Sequence, residues 1–170
     1  MSMVTESMDP TKAAERFSVP WDLSTWSERE RLLEVLLAEI DSLDWANPEL
    51  QQLLRANPAF QPRFLLALLS FAYATGTCES EDLVALYHHD PLLQARLPAQ
   101  APTTQGITRF RRENRGLVKW CLSQLFKRVV RDKYGMGDQL LPAGLRRQLD
   151  NAAITRLDMA RHCDRAAAGE

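Results

Sequence analysis

The chain is poor in cysteine, with Cys78, Cys121 and Cys163 spread over 170 residues. Three is an odd number, and no pair has the CxxC spacing. That excludes a disulfide framework and a zinc half-site, and predicts three reduced thiols. Long apolar runs are also scarce. The longest, FLLALL at 64–69, falls far short of the ~20 residues a membrane span needs. The first residues, MSMVTESMDPTK, lack the basic stretch and apolar core of a signal peptide, so a cytoplasmic protein is the default expectation. There is no P-loop and no GxSxG nucleophile elbow. No segment has the alternation of a strand, and no repeat is visible. The only histidines are His88, His89 and His162. Adjacent helical residues point about 100° apart, so His88 and His89 are poorly placed to share an ion. They read as surface or capping residues, and no metal or cofactor is expected.

What is present is an ordinary globular composition, 45% hydrophobic and 25% charged, long enough for one domain. Residues 1–20 read as a disordered segment. The four tryptophans, Trp21, Trp26, Trp45 and Trp120, read as anchors of the core and its rim. Ser27 and Glu30 have the spacing of a capping box, and leucines at helical intervals predict a helix over 27–43. Asn47-Pro48 and Asn57-Pro58 mark turns with a short helix between them. A nearly all-apolar helix follows from Pro62 to Thr75, stopped by Gly76, and belongs at the centre of the core. Ser80 looks like the cap of a helix reaching His89. Asp90-Pro91 restarts a short one, and 98–102 is a stiff linker. A basic helix begins at Thr103 or Thr104. It either breaks at Gly116 or continues towards Tyr134. After a turn at 134–137, a last helix spans about 142–164. The expectation is a compact all-α fold: a helical domain over 21–134, then a C-terminal helix and tail over 135–170.

Charge is distributed unevenly. Residues 1–108 hold 7 Lys and Arg against 15 Asp and Glu, a net of −8; residues 109–170 hold 14 against 7, a net of +7. The change of sign falls within the basic segment TTQGITRFRREN. Counting about 100° per residue from Ile107 gathers Phe110, Asn114, Leu117, Val118, Cys121, Leu122 and Leu125 into one buried stripe. Asn114, inside that stripe, needs a partner or marks a helix end. The opposite side carries Gln105, Thr108, Arg109, Arg112 and Lys119, with Arg111 and Arg115 flanking the stripe. Arginine and glutamine are the usual partners of guanine and adenine edges. Lys127, Arg128, Arg131 and Lys133 form a second basic cluster suited to phosphate contacts. On these residues alone the face is a DNA-binding surface, or equally a solvated or protein-facing one in which Glu113 pairs with Arg109 and the acidic half absorbs the basic half.

Three segments in order, FLLALLSFAYATG at 64–76, ESEDLVALYHHD at 79–90 and PTTQGITRFRREN at 102–114, resemble the N-terminal domain of InsH-like insertion-sequence transposases. The Thr-Gly ending the first segment and Arg109-Phe110-Arg111-Arg112 carry most of the match, which covers about 25–125. Gln105 and Gly106 stand where the family has its Thr-Thr pair, and Thr103 replaces its Asp. In that family the domain helps to bind the terminal repeats of the element. The resemblance therefore implies binding to double-stranded DNA, with Arg109, Arg111 and Arg112 in contact. The family cuts DNA with a separate acidic nuclease domain that these 170 residues do not include. The expectation is a non-catalytic, helix-turn-helix-like DNA-binding protein, with a separate transposase as a possible partner. The rival reading is a protein-interaction module, self-associating head to tail through its oppositely charged ends.

Overall fold

The computed structural model describes residues 17–56 and 61–170, the side chains of 53–56 excepted. Asn57-Pro58 and 1–16 lie outside the described residues. Among the described residues there are eight α-helices and no strand, so the fold is all-α. They are α1 (Arg29–Asp41), α2 (Pro48–Ala56), α3 (Pro62–Ala74), α4 (Ser80–His89), α5 (Pro91–Arg96), α6 (Thr104–Glu113), α7 (Arg115–Lys133) and α8 (Ala143–Ala167).

Helix α3 is the centre. Every residue in it except Arg63 is buried, as its nearly continuous apolar sequence requires. Pro62 opens it, and Gly76 closes it with φ +87°, a conformation that costs an L-residue energy. Helices α1, α4, α6 and α7 pack around α3, and α8 lies along α7. Leu145, Leu149, Ala153, Leu157 and Ala160 of α8 enter the same core as α3, so the 135–170 segment is part of one packed body.

Several local expectations need correction. The capping box at Ser27 does not form: α1 starts at Arg29, and Glu28 caps it without a side-chain bond. Ser80 is the first residue of α4 and not its cap, and its hydroxyl meets Thr108 Oγ1 at 2.8 Å. Asp90 does cap α5, accepting from the amides of Leu92 and Leu93, and Thr103 caps α6 through Gly106 N–H at 3.0 Å. The long basic helix breaks at Asn114, two residues before Gly116. Asn114 Nδ2 donates to Phe110 O at 2.9 Å, so the side chain takes a carbonyl of the last turn. Asn is prone to such competition with the helix backbone.

Residues 17–20, counted with the disordered segment in the sequence, are packed. The Phe17 ring meets Trp26 edge-on at 5.6 Å, and Asp22 bridges to Thr75 at the end of α3. The fastening is Arg156 of α8, which is 2% exposed. Its Nε donates to Tyr73 O at 3.0 Å and a terminal nitrogen donates to Pro20 O at 2.5 Å. Its guanidinium carbon lies 4.8 Å from the centre of the Trp21 ring and 4.6 Å from that of Phe126. Carbonyl oxygens and ring faces hold this cation in place of a carboxylate, and burial pulls its pKa down to about 10. It stays charged at neutral pH. Replacing Arg156 with Met keeps much of the volume and removes the donors. The expected cost is about 2–3 kcal/mol, read as a lower urea midpoint at unchanged slope. An unchanged midpoint would show that Arg156 does not hold the N-terminal segment.

Candidate nucleic-acid interface

Helix α6 docks through Ile107, Phe110 and Arg111, all buried. Arg111 was expected at the edge of the stripe and free for DNA. It is 6% exposed and committed to the interior. Its Nε donates to Asp164 Oδ2 at 2.8 Å and one terminal nitrogen donates to Asp164 Oδ1 and to Ala160 O. The other terminal nitrogen donates to Tyr73 Oη at 3.2 Å and to Cys78 O at 2.6 Å. All five N–H donors of the guanidinium are thereby used. Burial opposes the charge, but the Asp164 bonds and the neighbouring Tyr73 outweigh it, and the pKa of Arg111 is raised. Burial pushes the Tyr73 phenol up to about 12 against the pull of Arg111. Thr108, expected near base edges, is half-buried and turned to the same cluster, bonded to Ser80 and 3.5 Å from Asp164 Oδ1.

The remaining site residues divide by whether they have partners. Gln105 and Arg112 are exposed on the outer side of α6. Arg109 is exposed and pairs with Glu113 at 3.0 Å. Arg115 pairs with Asp158, Lys127 with Asp150 at 2.9 Å, and Arg128 with both Asp132 and Asp138. Lys119 and Arg131 are half-buried, and the Arg131 Nε is buried without a hydrogen-bond partner. The carboxylates in these pairs come from the basic half itself and not from the acidic half. An ion pair does join the two halves, Arg31 of α1 with Asp132 of α7 at 3.1 Å.

The structure adds two residues that the sequence did not single out. Arg161 and Arg165 stand one turn apart on α8, exposed and facing a cleft that Arg112 and Arg115 line from the other side. The cleft has a volume of about 540 Å³, with the Arg111–Asp164 pair at its base and Glu170 at its rim. The side chains of Arg112, Arg161 and Arg165 make no hydrogen bond or ion pair among the described residues. Their i, i+4 spacing on a polar helix face was the available signal for Arg161 and Arg165. A larger cavity of about 650 Å³, lined by Trp21, Cys78, Met159 and Cys163 among others, opens elsewhere. Burial raises the pKa of all three thiols, that of Cys121 to about 12. The described residues contain no cluster able to hold a metal ion. None of their helices is long and apolar enough to cross a membrane.

Removing Asp164 strands a buried guanidinium. Asp164→Ala should cost about 3 kcal/mol, the low end for breaking a buried pair because Asp164 keeps one side to solvent. The double change Arg111→Met with Asp164→Leu should recover much of that loss in denaturant unfolding. If Asp164→Ala unfolds at the wild-type midpoint, the pair does not hold α6 to α8.

The chain matches no family model, no curated protein and no solved structure in comparisons with known proteins.

Proposed function

We propose that this protein binds double-stranded DNA through α6 and the facing arginines of α8. One observation carries the reading: Arg112, Arg161 and Arg165, whose guanidiniums have no partner among the described residues, line one cleft in the half of the chain with a net charge of +7. A concave surface of one sign concentrates an anionic partner. Gln105, Arg109 and Arg112 on α6 are the groups for base edges and the nearest phosphates, and Arg161, Arg165 and Lys119 hold the backbone. The Arg109–Glu113 pair does not remove Arg109 from this set, since an exposed i, i+4 pair is worth only about 0.3–0.5 kcal/mol and yields to a phosphate. Helix α6 takes the part of a recognition helix packed on α4 in a helix-turn-helix-like arrangement. It departs from that motif in one respect: α5 and the linker stand where the motif has a turn of roughly three or four residues. The InsH-like resemblance supports the same reading through Arg109 and Arg112. It does not extend to Arg111, whose donors are all engaged.

The test is binding to random-sequence duplex across roughly 50–200 mM salt. Changing Arg109 and Arg112 together to Ala should weaken binding and lower the salt slope by about 1.8, two phosphate contacts' worth. Lys127→Ala, which removes a lysine that is mostly buried as well as paired with Asp150, should change affinity by less than about twofold. An unchanged slope in the double variant would sink α6 as the DNA-contacting helix. Absence of binding at the lowest salt would sink the DNA reading itself.

A further inference from the structure

The cleft between α6 and α8 is more than a stretch of basic surface. Its lining holds five arginines against two carboxylates, Asp164 and Glu170, and Asp164 is already neutralised by Arg111. Arg115 is held by Asp158 at the side. That leaves Arg112, Arg161 and Arg165 directed at one space, with Glu170 as the only opposing charge in the lining. A single carboxylate would leave most of this charge uncompensated. A phosphate monoester carries about −1.5 to −2 at neutral pH and offers three acceptor oxygens. Guanidinium forks match those oxygens in pairs. A phosphodiester of duplex backbone carries one charge and two free oxygens and makes poorer use of the three forks.

The size of the cleft points to more than inorganic phosphate. Its volume of about 540 Å³ lies within the roughly 300–1,000 Å³ of small-ligand sites. Val118, Leu157 and Ala160 contribute apolar lining. Guanidinium planes at the rim also offer faces on which a flat ring can stack.

We propose that this cleft binds a phosphate monoester carried on a nucleoside, with Arg112, Arg161 and Arg165 as the phosphate ligands. The inference rests on the reading of this face as a phosphate-binding surface. The same chemistry has two sources, a free mononucleotide and the 5′-phosphate at the end of a DNA strand.

The experiment is titration calorimetry of the full chain with adenosine 5′-monophosphate and with adenosine. Alongside it, duplexes with 5′-phosphate and 5′-hydroxyl ends are compared for affinity. The variants are Arg161→Gln with Arg165→Gln, whose exposed side chains have no partner among the described residues, checked by thermal unfolding. If the source is a mononucleotide, the monophosphate binds below about 1 mM, adenosine does not, and the double variant loses roughly tenfold or more. If the source is a strand end, the phosphorylated duplex is preferred roughly tenfold over the hydroxyl duplex and the double variant abolishes that preference. No binding of the monophosphate together with equal affinity for the two duplexes overturns the proposal and leaves the DNA reading standing. Binding of the monophosphate without binding of either duplex supports the cleft and sinks the DNA reading alone. Monophosphate binding or a phosphate preference that survives in the folded double variant overturns the assignment to these arginines.

Discussion

The arrangement of the basic half depends on one buried guanidinium. Arg111 reaches from α6 to the phenol of α3, the carbonyl of Cys78 just before α4, and the carbonyl and carboxylate of α8. A buried charge is tolerated only when its donors are satisfied, so these groups must be in place together. That requirement fixes the separation of α6 and α8, and with it the width of the cleft. Arg112 is the next residue along α6, and Arg161 and Arg165 bracket Asp164 on α8. The exposed cations are therefore positioned by the neighbours that anchor the buried one.

The same logic explains which charges remain available. Lys127, Arg128 and Arg115 are matched by carboxylates within the basic half, and Arg109 is matched along its own helix. Such exposed pairs contribute little stability, but they lower the local field. Of the arginines without an ion pair among the described residues, Arg112, Arg161 and Arg165 share the α6–α8 cleft, while Arg131, Arg146 and Arg147 stand towards the other ends of α7 and α8. The proposed DNA contact and the proposed monoester site draw on the cleft group, over different distances.

Much of the architecture was legible in the sequence. The apolar run of α3, its Pro62 start and Gly76 stop, the Asp90-Pro91 restart and the cap of α6 all rest on local rules, and local rules operate on neighbours in the chain. The candidate site was harder to read. Arg111 is four residues beyond Ile107, so the same count of 100° per residue puts it about 40° from Ile107, inside the stripe and not flanking it. The sequence gives no warning that an aspartate 53 residues later completes its shell. Ser80 has the look of a cap, but Thr108, 28 residues away, claims its hydroxyl. Asn114 was recognisable as an anomaly within an apolar stripe, and it both finds a partner in Phe110 O and marks a helix end. Arg161 and Arg165 lay at the end of the last predicted helix, and only the fold brings them opposite Arg112.

The contact between Arg156 and Pro20 spans 136 residues of chain. An interaction of such long range adds to the share of non-local contacts that slows folding. During synthesis residue 20 emerges well before its partner on α8, 136 residues later. Until then Trp21 and Phe126 have no cation between them, and the bridge from Asp22 to Thr75 lacks its outer clasp. The early helices α1 and α3 are able to associate on the ribosome. Closure of the fold at Pro20 waits for α8, so a nascent chain halted before α8 exposes the part of the core that α8 covers.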